Sequence, residues 1–127
     1  MADVVTVVDT GLAKVTDLLA AVTTVCPGWV GWGIGTTAPV VGNTALETAS
    51  AEARTVGTKT QETTTTANDT YQVVALITAL SAQAITEVAV FDALTAGNLF
   101  LRGTFSAINV SIDDTIEFTI KTVFDQA

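Results

Sequence analysis

The 127 residues include no histidine and one cysteine, Cys26, which excludes an internal disulfide and a Ser–His or Cys–His nucleophile within the chain. A formal net charge of −8, from 13 Asp and Glu against 5 Lys and Arg, disfavours nucleic-acid phosphates and anionic membranes and suits a basic protein surface. The length suits one domain, residues 1–127, and the 49% hydrophobic content is largely Ala and Val, which suits closely stacked sheets.

The start, MADVV, lacks a basic region, so no secretory signal is expected. Thr, Asp and Gly interrupt the apolar stretches, so no transmembrane helix is expected either. Val4-Val5-Thr6-Val7-Val8 reads as an edge strand, or as part of an N-terminal arm (residues 1–8) that pairs with another chain. Asp9 or Thr10 is placed to cap a helix predicted from Thr10 to Thr23. Leu12, Val15, Leu18, Leu19 and Val22 form its apolar stripe, with Lys14 and Asp17 opposite. Val25-Cys26-Pro27-Gly28 ends it.

A glycine-rich strand follows from Trp29 to Ile34. Trp29 and Trp32 are three residues apart and point to opposite faces, so one is expected in the core and the other on a surface. Gly33-Ile34-Gly35 is not a dinucleotide fingerprint, because Ala38 stands where the third glycine is needed. Thr36 to Asn43 is a loop with a left-handed turn expected at Gly42-Asn43. Thr44-Ala45-Leu46-Glu47 has the form of a capping box and predicts a short helical turn.

Ala53 to Thr66 carries Arg54, Lys59, Glu62 and four consecutive threonines, and reads as a solvated edge strand or hairpin arm. Asn68-Asp69 is a turn. Tyr71 to Leu80 is apolar on both faces, which predicts a strand between two layers. Ile85 to Phe91 is the next strand, and Asp92 to Asn98 the next turn. Leu99, Leu101 and Phe105 then share a face opposite Phe100 and Arg102, with Gly103 marking a close approach. After a turn at Asp113-Asp114, Ile116, Phe118, Ile120 and Phe124 alternate with Glu117, Thr119 and Lys121 in a half-buried strand. One helix with five to seven strands predicts a mainly β (α+β) fold, an antiparallel β-sandwich with an N-terminal helix.

Few residues invite chemistry. Asp113 and Asp114, with Asn109 and Ser111, supply oxygen ligands for calcium, but the EF-hand order is missing and the expectation is a solvated turn. Glu87 and Asp92 flank a strand end as a conceivable carboxylate pair. Cys26 has no histidine to activate it and is expected to be a small packed residue. No catalytic residue, metal or cofactor is predicted.

Two segments carry a resemblance: WVGWGIGTTAPVVGNTALETAS, from Trp29, and ITEVAVFDALTAGNLFLRGTFSAIN, from Ile85. Their order, after a helix and before a Thr-rich last strand, is similar to a pattern in small tailed-phage virion proteins, and the match runs from Gly11 to Phe124. Ala89-Val90 departs from the usual Gly-Leu, and the turn at Gly35-Thr36 is shortened. That group resembles N-terminal modules of tail-fibre proteins and free-standing head-decoration or cement proteins. The resemblance implies a non-enzymatic particle component. The expected reading is a trimeric capsid cement protein outside the shell, bound across capsomer boundaries to the major capsid protein. A tail, baseplate or fibre-adaptor subunit is the alternative, and the chain's end at Ala127 favours the head. An enzyme or carbohydrate-binding domain ranks third, since 6% aromatic residues leave few rings for sugar stacking. The expected contact residues are Val4, Val5, Val7, Val8, Trp29, Trp32, Arg54 and Lys59, the last within a Thr55 to Thr66 arm.

Overall fold

A computed structural model describes residues 3–125 as two antiparallel sheets packed face to face, with one helix. In chain order the elements are β1 (Val4–Val7), α1 (Asp9–Leu19), β2 (Trp29–Gly33), β3 (Thr55–Val56), β4 (Thr58–Glu62), β5 (Thr70–Thr78), β6 (Gln83–Phe91), β7 (Leu99–Val110) and β8 (Thr115–Val123). One sheet has the order β1-β7-β6-β2-β3 and the other β4-β5-β8. Residues 1 and 2 of the expected arm lie outside the described residues. Val4 to Val7 pair with Thr104 to Leu101, so this run is an edge strand of its own chain.

The polar segment after Ala53 switches sheets. Thr55 and Val56 pair with β2, whereas Thr58 to Glu62 pair with β5. Gly57 is the corner: its amide donates to Gly28 O at 2.7 Å, and a Cβ there would lie 2.5 Å from Val73 Cγ1. Only a residue without a side chain lets the strand cross that closely.

Between the sheets, Val30 and Trp32 from β2 meet Val73, Ala75 and Ile77 from β5, with Val88 and Val90 from β6. Phe118 sets its ring edge-on to Trp32 at 6.4 Å, and Tyr71 does the same to Phe100 at 6.3 Å. Such pairs add about 0.5–1.5 kcal/mol to the area they bury. Period-two alternation holds along β8, where Ile116, Phe118 and Ile120 are half-buried and their neighbours exposed.

Expectations in three segments are corrected, first in the helix. The helix ends at Leu19 rather than Thr23, because Ala21 adopts a left-handed conformation (φ 56°). Its amide donates to Leu18 O and that of Val22 to Asp17 O, which is a Schellman motif. The buried face is also rotated: Gly11 and Lys14 are buried, with Val15 and Leu18 beside them, while Leu12, Leu19 and Val22 are exposed. The cause is backbone contact, since a Cβ on Gly11 would sit 2.1 Å from Phe100 O. At the helix start, Val8 is the N-cap and has no side-chain cap bond; Thr10 Oγ1 donates instead to Leu99 O at 2.6 Å.

Secondly, β5 is covered on one face only. Val73, Ala75 and Ile77 are buried, but Leu76 and Leu80 are exposed. Thirdly, the run from Thr44 to Glu47 forms no helical turn. Glu47 instead accepts the amides of Thr36 and Thr37 at 2.8 and 3.1 Å, tying the two ends of a loop together. Neither Gly42 nor Asn43 takes the left-handed conformation expected of them.

Candidate functional site

The most concentrated set of polar groups surrounds Glu87, in the middle of β6. A carboxylate buried as completely as this one, with 0% of its surface exposed, must be paired or neutralised. Here it is paired: Arg102, on β7, donates from Nε to Oε1 at 2.9 Å. The two residues are diagonal neighbours across the ladder, because Glu87 stands opposite Thr104 and Arg102 opposite Ala89. Three backbone amides complete the shell. Glu47 N donates to Oε1 at 2.9 Å, and Gly35 N and Thr48 N donate to Oε2 at 2.8 Å each.

All four acceptor positions of the carboxylate are thus occupied. Burial pushes its pKa up, but the bonds from Thr48, Glu47, Arg102 and Gly35 outweigh that and hold it below the ordinary glutamate range. A group in this state has no lone pair to offer a substrate proton. It anchors the segment 35–48 to the sheet. The cluster also unites the two segments that carry the family resemblance: Gly35, Glu47 and Thr48 from the first, Glu87 and Arg102 from the second.

The other acids serve loops in the same way. Glu52 accepts the Trp32 indole N–H at 2.9 Å, Leu80 N at 2.8 Å and Gln83 Nε2 at 2.7 Å. Asp92 meets Lys14 Nζ at 2.9 Å and accepts Asn98 N at 2.7 Å, which fastens α1 to the β6–β7 turn. Burial raises the pKa of both acids, and these bonds lower it further than burial raises it. Asp69 accepts the amides of Thr64, Thr65 and Thr66, and these hold its pKa far below the usual range. Asp114 accepts Ser111 N, and Asp113 takes the left-handed turn position (φ 70°). Among the described residues, no three His, Cys, Asp or Glu side chains are grouped to hold a metal ion.

The expected contact residues scatter over the molecule. Val4 and Val5 are exposed on the β1 edge, and Val7 is half-buried. Val8, expected as a contact residue, lies in the core, and Trp32 is the core tryptophan, with 1% of its surface exposed, so neither is available as a contact. Of the two tryptophans, Trp29 is the more exposed, half-buried against Leu99 and Phe91. Arg54 is half-buried: its guanidinium sits 3.3 Å above the Phe91 ring, and Nη1 donates to Ala93 O and Ala96 O. Lys59 is exposed on β4.

A surface missed by the sequence reading lies at the end of α1. Leu19 and Val22 are 83% and 74% exposed, with Val25 and Phe124 exposed beside them. Leu19 and Phe124 line an apolar cleft of about 260 Å³ together with Leu18, Pro27 and Tyr71. Cys26, expected to be packed, is exposed at this cleft. The Tyr71 hydroxyl donates to Pro27 O, and burial raises its pKa. Clustered apolar exposure of this kind marks an interaction surface more often than chance. Compared with known proteins, the chain matches no family model, no curated protein and no solved structure.

Proposed function

We propose that the chain is a structural component of a tailed-phage particle, a capsid cement protein that binds outside the shell across capsomer boundaries. The observation that carries the reading is the Glu87 cluster. The two segments on which the resemblance rests are 35 residues apart in the chain, from the end of one at Ser50 to the start of the other at Ile85. In the fold they are a single unit, joined by one carboxylate and its four donors. This supports the resemblance as one of fold rather than of two short strings.

The chemistry of the residues supports the same reading. The best-placed carboxylates are engaged in anchoring loops, while an apolar surface at the end of α1 is left exposed. A contact protein works by burying such surface, and repetition over a lattice turns weak contacts into avidity. The partner in this reading is the major capsid protein.

The test is the copy number of this chain in purified particles, by quantitative mass spectrometry against the major shell protein. A ratio near one, or a simple fraction of it, is the expected result. A ratio of a few per cent moves the protein to a tail, baseplate or fibre-adaptor position, and absence from particles overturns the proposal.

A further inference from the structure

The edges of a sheet offer unpaired amides and carbonyls to any other strand, and proteins usually blunt them. Three of the four edges here are short: β1 has four residues, β3 two and β4 five. The fourth is β8, nine residues long, paired in unbroken register with β5 and with no partner on its other side among the described residues. Its sequence, TIEFTIKTV, has neither proline nor glycine, and it carries two charges of opposite sign, Glu117 and Lys121. Both are exposed, and neither has an ion-pair partner among the described residues.

These charges are symmetric about Thr119. We infer that two copies of this chain pair through β8, antiparallel, about a two-fold axis at Thr119, so that the two three-stranded sheets become one of six strands. In that register Glu117 faces the partner's Lys121 on the solvent side, twice by symmetry. On the inner side Phe118 faces the partner's Ile120, and Ile116 the partner's Thr122.

The alternatives are worse. An axis at Glu117 sets two carboxylates opposite each other, and one at Lys121 sets two ammonium groups opposite each other. An axis at Phe118 or Ile120 pairs no opposite charges. An axis between residues puts inward-facing side chains opposite outward-facing ones and breaks the pleat. Charge complementarity therefore selects one occupant, a second copy, and one register. Beside this edge a cleft of about 640 Å³ with mixed apolar and polar lining opens between β1 and β8, with Val5 61% exposed, Phe105, Ile108 and Phe118 along it, and Glu117 and Lys121 among its polar residues. A second copy at β8 approaches from this side.

The test is sedimentation velocity of the purified chain over a concentration series. A reversible dimer is expected. Lys121→Glu places a carboxylate opposite Glu117 in both pairs and should weaken association about tenfold or more, that is by about 1.4 kcal/mol. Adding Glu117→Lys to it restores opposite charges and should restore the dimer. Thr119→Cys, in a Cys26→Ser background, lies on the axis and should form an interchain disulfide on mild oxidation. Glu117→Cys in the same background faces the partner's Lys121 and should not. A monomer at every concentration overturns the inference. So does the three-fold assembly expected from the resemblance. Equal behaviour of the single and double charge variants, or of the two cysteine variants, overturns the register.

Discussion

Glu87→Gln is the most informative single change, because the glutamine is nearly the same size and differs in charge and acceptors. An amide oxygen accepts two bonds, whereas the carboxylate accepts four here. Whichever way the amide turns, its NH₂ group meets two N–H donors: Gly35 and Thr48, or Glu47 and Arg102. Arg102 also loses its counter-charge at a site where 1% of its surface is exposed. A buried charge left unpaired costs about 3–5 kcal/mol, and an unsatisfied buried donor about 1–3 kcal/mol. These costs overlap because they arise in one network. A total of about 4 kcal/mol is therefore expected, a large share of the ~5–15 kcal/mol typical of a domain. It corresponds to a fall in Tm of roughly 12–20 °C for a chain of this size.

Urea unfolding followed by tryptophan fluorescence measures this, since Trp32 is buried in the core. The expected signature is a lower midpoint at unchanged slope. Adding Arg102→Met to Glu87→Gln should recover part of the loss, since a buried pair replaced on both sides leaves no orphan charge. A loss below about 1 kcal/mol for Glu87→Gln would refute the reasoning, because it would mean that the cluster is not needed to hold the segment 35–48.

Gly11→Ala should destabilise by about 1–3 kcal/mol, although the same change in an ordinary helix stabilises. Its Cβ would meet Phe100 O at 2.1 Å, so a raised Tm would show that α1 can lift away from β7 without loss. Acid should unfold the protein. The folded-state pKa values of Glu52, Asp69, Glu87 and Asp92 all lie below their ordinary values, so the unfolded chain takes up protons first as pH falls. Their contribution is complete above the ordinary carboxylate values of 3.8 and 4.5 and is lost as pH falls through the lowered ones. A urea midpoint that rises on acidification below pH ~4 would contradict this. Leu19→Glu with Val22→Glu should change stability by no more than about 0.5 kcal/mol, as both are exposed, yet should lower occupancy on particles; unchanged occupancy would remove the α1 surface from the contact.

The strands were legible where one face is dry and the other wet. Ile116 to Lys121 alternate in sequence and in burial alike. The turns at Asn68-Asp69 and Asp113-Asp114 were legible too, and Asn68 and Asp113 take left-handed positions there. The helix face was not, because a stripe search gives weight to the largest apolar side chains. The true face is Gly11, Lys14, Val15 and Leu18, which has the i, i+3, i+4, i+7 spacing of a helix but begins with a glycine and a lysine. The glycine permits backbone contact with β7, and the lysine is neutralised by Asp92. The signal for the Glu87 cluster was present, since an acid and an arginine each interrupt an apolar strand of one hairpin. What no spacing rule could supply was the three amides from the segment 35–48, which come from a loop with no period of its own.

The same misreading explains the missed surface. Leu12, Leu19 and Val22 were assigned to a core because apolar residues on a helix usually face one. Once Gly11 and Lys14 take the buried face, those side chains turn to solvent, and among the described residues Leu19 and Val22 stay 83% and 74% exposed. The acids went the other way, since Glu87 and Glu52 were drawn in to satisfy backbone and indole N–H groups. An ordinary solvated domain keeps its carboxylates outside and its leucines inside. Here Glu87 is buried and Glu52 and Asp92 are half-buried, all holding loops, while Leu12, Leu19, Leu76 and Leu80 are exposed. That inversion is a physical reason to look for its function in what it touches.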